Sequence, residues 1–149
     1  MEISVRQALN ISRQRIWDSM MDPGVLAQCI PACKSIEKHS PEEFFARVRV
    51  KFGFVPIRFD LRVLLDDLAE PQGYSVVAIG QGGLVDGAKA DGRVDFISLG
   101  PDKTRVEYAG RILKGGVLLD LGEPLVQKTA NRWFKRFFQR FETVITSDR

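Results

Sequence analysis

The spacing of apolar residues changes once along this sequence, and that change limits the possible fold more than any other feature. Between residues 44 and 113, apolar and polar residues mostly alternate. A two-residue period places successive side chains on opposite faces of a β-strand. From Val126 to Val144, apolar residues instead recur every three or four positions, which is typical of an amphipathic helix. The sequence therefore predicts a β-sheet followed by one long helix.

The first thirty residues predict one strand and two short helices. Residues 2–11 alternate in the same way as a half-buried strand. Ser12 is a favoured helix N-cap residue, and Asp22 followed by Pro23 marks a second helix start. Pro31 should end that second helix, because proline cannot continue the hydrogen-bond ladder.

Turn residues divide the middle of the chain into strands. Glycine and proline cluster near residues 41, 53–56, 71–73, 80–87 and 100–101. Consecutive antiparallel strands with short turns form a curved sheet with one wet face and one dry face. Counting the first strand, the seven predicted strands are 2–11, 34–39, 44–52, 57–66, 74–82, 88–99 and 103–113.

The C-terminal helix is predicted over about residues 116–146. Pro124 has no N–H to donate, so a kink or break is expected near Gly122. The dry face of the sheet must be buried, and this helix is its only sizeable apolar partner. The 149 residues therefore predict one α+β domain, 1–149, with a helix-grip fold. A seven-stranded curved antiparallel sheet surrounds the long helix, and two short helices follow the first strand.

Composition and motifs exclude several functions. The net charge of +3 and the lack of a basic run argue against nucleic-acid binding. No stretch approaches the roughly 18 apolar residues that span a bilayer, and the N-terminus lacks a secretory signal, so a cytoplasmic location is expected. Cys29 and Cys33 supply at most two of four zinc ligands, and we interpret them as small buried side chains, with a redox pair as the alternative. His39 is the only histidine and lies beside a turn. Because the cysteines have no nearby histidine and no nucleophile has a histidine within predictable reach, no metal site and no catalytic site are predicted.

An apolar cavity is the main predicted functional feature. A strongly curved sheet around one helix leaves space that side chains need not fill, and such a space suits a hydrophobic small molecule. Tyr108 and Thr129 are the predicted hydrogen-bonding groups for a carbonyl or hydroxyl of the ligand. The alternative interpretation is that these residues form packed core. The predicted lining is Trp17, Leu26, Ile30, Val48, Val50, Phe52, Phe59, Leu61, Val63, Val76, Ala78, Phe96, Tyr108, Leu121, Leu125, Thr129 and Trp133.

The polar face of the C-terminal helix carries a cluster of cations. We interpret this face either as a solvated surface or as a docking surface for anionic lipid or an acidic partner. The cations are Lys128, Arg132, Lys135, Arg136 and Arg140.

One motif resembles a known family. Residues 22–33, DPGVLAQCIPAC, resemble the opening DPxxLxxCIPGC of the CoxG family of carbon monoxide dehydrogenase subunits, with Ala32 in place of a glycine. Further matches are Phe52-Gly53 with Phe59, Pro71-Gln72-Gly73-Tyr74, and Gly80-Gln81-Gly82-Gly83. The resemblance covers nearly the whole chain. It implies membership of the START-like, birch-pollen-allergen-like (SRPBCC) superfamily, whose members bind lipids, sterols and polyketides.

The resemblance also implies a role. Family members are encoded beside molybdenum hydroxylases of the carbon monoxide dehydrogenase type, and are thought to recruit that enzyme to the membrane or to handle a quinone. The expected function is therefore a non-catalytic hydrophobic-ligand-binding accessory protein, with no cofactor other than a bound quinone or other lipophile. Some members carry a C-terminal membrane-binding extension. This chain ends at Arg149, so peripheral contact with the inner face of the membrane would come from the domain itself. The alternatives are a general lipid or metabolite carrier and a cyclase or aromatase that uses Tyr108.

Overall fold

A computed structural model describes residues 1–30, 33, 35–52, 54–83, 86–115, 120 and 122–147, with the backbone alone for residues 50–52. The described strands form one seven-stranded sheet, and a long helix follows it, as the sequence predicts. The strands are β1 Glu2–Leu9, β2 Ser35–Ser40, β3 Glu43–Phe52, β4 Val55–Ala69, β5 Gly73–Gln81, β6 Lys89–Gly100 and β7 Lys103–Lys114. The helices are α1 Arg13–Met20, α2 Pro23–Cys29 and α3 Glu123–Ser147.

The strands lie in the order β1-β7-β6-β5-β4-β3-β2, and each neighbouring pair is antiparallel. Strands β2 to β7 thus form a meander, and β1 joins its far edge beside β7. The START-like helix-grip architecture predicted from the sequence is confirmed. Strand β4 is longer than predicted, because its pairing with β5 continues past an irregularity between Asp66 and Ala69.

Both short helices begin at the predicted caps. The Ser12 hydroxyl accepts a hydrogen bond from the Arg15 backbone N–H at 3.3 Å. The Asp22 carboxylate accepts one from the Gly24 N–H at 2.8 Å. Each bond satisfies one of the N–H groups that a helix start leaves unpaired.

Helix α3 begins at Glu123, directly after Gly122, whose φ is +89°. A positive φ interrupts a right-handed helix, so the break predicted near Gly122 is confirmed. The 25 residues of α3 span about 37 Å at 1.5 Å per residue. The earlier start predicted at Gly116 falls on residues 116–119 and 121, which lie outside the described part of the chain.

The main core lies at one end of the sheet, where α1 and α2 cover it. Leu9, Ile16 and Phe96 pack there with Phe141 from the second half of α3. The Arg15 guanidinium donates to the Ile145 carbonyl at 2.8 Å and ties the end of α3 to α1. The opposite end of the sheet carries the β3–β4 turn, the β5–β6 connection and the start of α3. We call this opposite end of the sheet the hairpin end.

Candidate ligand site

The inner face of the sheet collects most of the predicted lining residues. Val48 lies opposite Phe59, and Val63 lies opposite Ala78. Residues directly opposite in an antiparallel ladder share a face. The same alternation places Leu61, Val76, Phe96 and Tyr108 on this face.

Burial varies along this face. Phe96 is only 2% exposed, and its ring makes an edge contact with Trp17 at 6.1 Å. Trp17 and Leu26 belong to the same packed core, so three predicted lining residues lie within it. Val48 and Thr129 are also buried. The predicted lining residues that remain partly exposed are Ile30, Phe59, Leu61, Val63, Val76, Ala78, Tyr108, Leu125 and Trp133.

Three predicted lining residues cannot be assigned surroundings. The side chains of Val50 and Phe52 and the whole of Leu121 lie outside the described part of the chain.

Helix α3 lies across the sheet from the hairpin end to the packed end. Among the described residues, its backbone comes near those of α2, β1 and β3. Strand β1 is one edge of the sheet and β3 is next to the other edge. Tyr108 of β7 stacks on Phe134 of α3, and Val63 and Val76 pack against the buried core, while several inner side chains of the central strands stay partly accessible.

Two buried polar atoms on α3 lack hydrogen-bond partners among the described residues. Thr129 is 4% exposed, and its hydroxyl oxygen is buried without a hydrogen bond among the described residues. The indole Nε1 of Trp133, one helical turn further on, is also buried without a hydrogen bond among the described residues. Leaving a buried polar group unpaired costs about 1–3 kcal/mol, so each such group in a native structure needs an explanation, such as strain, a functional role or a bound water or ion. The sequence interpretation included Thr129 but overlooked the indole N–H of Trp133.

Aromatic rings surround this polar pair. Trp133 stacks on Phe137 with ring centres 5.7 Å apart and planes 8° from parallel. Phe134 meets Trp133 edge-on at 5.1 Å and stacks on Tyr108 at 5.9 Å. The four-residue spacing of Thr129, Trp133 and Phe137 was the sequence signal for this shared face.

Tyr108 is already hydrogen-bonded within the protein. Its hydroxyl donates to the Asp91 backbone carbonyl at 3.3 Å. Burial raises the pKa of this phenol, and the nearby Asp91 carboxylate raises it further. Tyr108 therefore keeps its proton at neutral pH and offers a ligand only a hydroxyl acceptor.

Two of the hollows lined by described residues are open at the surface, and Val76 is the predicted lining residue that borders one of them. One of about 840 Å³ crosses β1, β5, β6 and β7 near Gly92 and Gly110, and it includes Val76 and Glu123 in its lining. Its rim carries the Asp91–Arg111 ion pair, with N and O 3.4 Å apart. The other, of about 370 Å³, is lined by Arg49, Pro56, Ile57, Arg58 and Gly83 at the hairpin end.

The one histidine and the two cysteines of the sequence all lie in the described part of the chain. His39 lies at the surface, where its ring nitrogen is 3.0 Å from the Glu37 carboxylate. Within the described ranges, no group of three His, Cys, Asp or Glu side chains is arranged to hold a metal ion. Cys29 and Cys33 are free thiols, and burial raises the pKa of Cys29 to about 11 although Arg140 partly opposes the shift.

The helix cations lie where the amphipathic pattern predicts. All five, Lys128, Arg132, Lys135, Arg136 and Arg140, are exposed. No described helix is both long and apolar enough to cross a membrane.

Comparison with known proteins agrees with the resemblance found in the sequence. The family model for CoxG, a subunit of carbon monoxide dehydrogenase, matches residues 7–146. A comparison with curated proteins gives no match.

Solved structures share the fold at low sequence identity. A conserved protein from Geobacillus kaustophilus is 22% identical with a TM-score of 0.88, covering 99% of this chain and 96% of that one. A START superfamily protein from Mycobacterium smegmatis is 17% identical with a TM-score of 0.76, covering 99% of both chains. The Zhui aromatase/cyclase from Streptomyces sp. R1128 is 11% identical with a TM-score of 0.69, covering 98% and 93%.

Proposed function

This chain belongs to the CoxG family of carbon monoxide dehydrogenase subunits, and from that premise we propose that it binds a hydrophobic small molecule between its sheet and α3. The observation that carries the proposal is the pair of buried polar atoms on Thr129 and Trp133 that have no hydrogen-bond partner in the described part of the chain. Both residues lie on α3, and apolar side chains of the inner sheet face such as Phe59 and Leu61 stay partly exposed. Binding sites for small molecules combine this kind of apolar lining with a few polar groups.

The hydrogen-bonding groups of Thr129 and Trp133 limit the chemical class of the ligand. An indole N–H can only donate a hydrogen bond, so the ligand must present an acceptor oxygen or nitrogen to Trp133. The Thr129 hydroxyl can donate or accept, and it lies one turn away. The neighbouring rings favour a flat or aromatic body. A quinone, with ring carbonyls on an apolar skeleton, meets all three conditions, as do other carbonyl-bearing lipophiles.

The second part of the proposal concerns the partner. The family name points to carbon monoxide dehydrogenase, a molybdenum hydroxylase, and we propose that this chain serves such an enzyme as a non-catalytic accessory protein. The exposed cations of α3, such as Lys135 and Arg136, would dock on an acidic surface of the enzyme.

Two other functions remain as alternatives. A carrier of lipids or hydrophobic metabolites without an enzyme partner would use the same site. A cyclase-like activity, suggested by the aromatase/cyclase with a similar fold, would need an acid or base in the cavity. Tyr108 suits this role poorly, since its hydroxyl donates to the Asp91 backbone carbonyl and its pKa is raised.

Ligand extraction tests the proposal directly. Protein purified from its own host should carry a bound lipophile that native mass spectrometry detects and solvent extraction identifies. In solution, calorimetry with a short-chain naphthoquinone should show tight binding. The double variant Thr129→Val and Trp133→Phe should bind that probe about 10- to 100-fold more weakly, because it removes two hydrogen bonds. Thr129→Val keeps the side-chain shape, whereas Trp133→Phe replaces the indole by a smaller aromatic ring.

The matched control is Thr143→Val, which removes a hydroxyl from the exposed side of the same helix. It should leave quinone binding unchanged. Absence of any copurifying lipophile together with no detectable binding of the quinone would contradict the proposal. Copurification with a molybdenum hydroxylase would distinguish the accessory role from that of a general carrier. The variant K135Q/R136Q should weaken this copurification.

A further inference from the structure

One tyrosine ring of the inner face lies over two glycines. Gly92 on β6 and Gly110 on β7 are directly opposite each other in the register of the sheet. A Cβ added to Gly92 would meet Cε2 of Tyr108 at 2.6 Å, and a Cβ added to Gly110 would meet the Tyr108 hydroxyl. The ring therefore occupies the positions that two side chains would otherwise take. Because glycine has no side chain, the ring can lie against the backbone of both strands.

The same ring connects the sheet to the helix. The Tyr108 hydroxyl donates to the Asp91 backbone carbonyl at 3.3 Å. Phe134 of α3 stacks on the ring, with ring centres 5.9 Å apart and planes 27° from parallel. Tyr108 is thus held on the sheet by a hydrogen bond and contacts α3 through Phe134. At this position, two rings in contact span the distance between β7 and α3.

This contact lies next to one of the polar atoms of the ligand site. Trp133 meets Phe134 edge-on, with ring centres 5.1 Å apart. The partly exposed side chains of Phe59 and Leu61 belong to β4, three strands away from β7. Neighbouring strands are about 4.8 Å apart, so β4 lies about 14 Å along the sheet from the strand of Tyr108. A ligand bound between β4 and Trp133 would have the Tyr108–Phe134 contact at its margin.

The part of the inner face beside Tyr108 carries small residues. Ala90 on β6 lies opposite Ala78 on β5, in the row next to Gly92 and Gly110. Both alanines are partly exposed. Without the Tyr108 ring, the ligand site would extend over this floor of glycine and alanine. The tyrosine is therefore the side chain that limits the site in this direction.

We propose that Tyr108 is a specificity-determining residue of the ligand site, because its ring sets the width of the ligand that fits between the sheet and α3. A ring system that lies over β4 and β5 fits beside the Tyr108–Phe134 contact, and a wider one collides with it. The inference rests on the proposed function and adds a limit on ligand size. It assigns Tyr108 steric exclusion in place of hydrogen bonding to the ligand, since its hydroxyl already donates within the protein.

Calorimetry with two quinones tests this proposal on the full chain. The probes are a short-chain naphthoquinone and an anthraquinone with the same substituent and one more fused ring. The parent should bind the naphthoquinone at least about tenfold more tightly, because an apolar pocket discriminates against one added apolar group by roughly 10- to 200-fold. Tyr108→Ala should bind the anthraquinone at least as tightly as the naphthoquinone. Once the obstructing ring is gone, the extra apolar surface of the wider quinone favours binding.

Further variants keep the test valid if Tyr108→Ala folds poorly. Phe134→Ala removes the helix half of the contact and should also relax the preference for the naphthoquinone. Tyr108→Phe keeps the ring and removes the hydroxyl, so it should retain that preference. Phe45→Ala is the matched control, because Phe45 lies on the outer face of the sheet and stacks on His39 with ring centres 5.9 Å apart. It should leave both affinities unchanged.

The possible results separate this inference from the proposed function. An unchanged preference in both Tyr108→Ala and Phe134→Ala, or a parent that binds the two quinones equally, would overturn the inference while the proposed function stands. If Tyr108→Phe lost as much naphthoquinone binding as the Thr129→Val and Trp133→Phe double variant, Tyr108 would be a hydrogen-bonding partner of the ligand, and the inference would also fail. Absence of binding of either quinone by the parent and by every variant would refute the proposed function and the size limit with it.

Discussion

The hydroxyl of Tyr108 lies over Gly110, two residues further along the same strand, at the position where a side chain on Gly110 would begin. The ring also covers Gly92, which pairs with Gly110 across the sheet. Two facing glycines thus let the tyrosine ring lie close to the backbone. A side chain at either position would push the ring toward α3 and into the space assigned to the ligand.

The first prediction follows from this contact. Gly110→Ala should destabilise the protein by about 1–3 kcal/mol, because its Cβ would collide with the Asp91 carbonyl oxygen, which is backbone and cannot move aside cheaply. Urea unfolding measures the change. Gly100→Ala is the control, since a Cβ at Gly100 meets nothing within 4 Å. Equal stability of the two variants would show that Tyr108 and Gly110 are not packed in this way.

A second prediction separates packed core from candidate lining. Phe96→Ala should cost about 3–5 kcal/mol, because Phe96 is buried between Trp17 and Tyr74. Phe59→Ala should cost only about 1–2 kcal/mol, since part of its ring already lies in water. Calorimetry should give the reverse order for quinone affinity, with Phe59→Ala weakening binding more than Phe96→Ala does. Stronger destabilisation by Phe59→Ala would contradict the described division of the inner face.

The general organisation of the fold was predictable from the sequence. Alternation along 44–113 and the helical spacing of Trp133 and Phe137 are local patterns, and local patterns determine which face of each element is buried. The N-caps Ser12 and Asp22 were predictable for the same reason, because capping needs only residues two or three positions away.

Interactions between distant elements could not be predicted in this way. The lack of a hydrogen-bond partner for Trp133 Nε1 among the described residues depends on how the sheet packs against α3. The pairing of Arg49 with Arg58 depends on the register of β3 and β4. The position of Phe96 in the core rather than the cavity depends on where α1 covers the sheet. Each requires distances between elements, which periodicity does not contain.

A third prediction concerns the pH dependence of stability. The Cys29 side chain is buried, and its pKa rises from 9.0 to about 11 on folding. The folded state therefore favours the neutral thiol. The resulting stabilisation is complete below pH 9 and is lost as the pH rises toward 11, because the unfolded chain ionises first. Cys29→Ala should remove this part of the pH slope in urea unfolding, and iodoacetamide should modify the partly exposed Cys33 before Cys29. Faster labelling of Cys29 would contradict its burial.

The last prediction compares two buried threonines, one with a hydrogen-bonded hydroxyl and one whose hydroxyl has no partner among the described residues. Thr104 is 0% exposed and its hydroxyl donates to the Ile11 carbonyl at 2.8 Å. Thr129 is also buried, but its hydroxyl has no partner among the described residues. Replacing a threonine by valine keeps the shape and removes the hydroxyl. Thr104→Val should therefore cost about 1–3 kcal/mol, since it leaves a buried carbonyl unpaired.

Thr129→Val should have the opposite effect on the ligand-free protein. It removes an unpaired polar atom from an apolar environment, so the free energy of unfolding should stay level or rise by about 1 kcal/mol. Urea unfolding of delipidated protein measures both threonine variants under one condition. Adding the naphthoquinone should then stabilise the parent more than Thr129→Val, because only the parent can offer the hydroxyl to a carbonyl. If Thr129→Val instead destabilised the ligand-free protein as much as Thr104→Val does, the Thr129 hydroxyl would have a partner within the protein, and the argument for an oxygen-bearing ligand at this turn of α3 would fail.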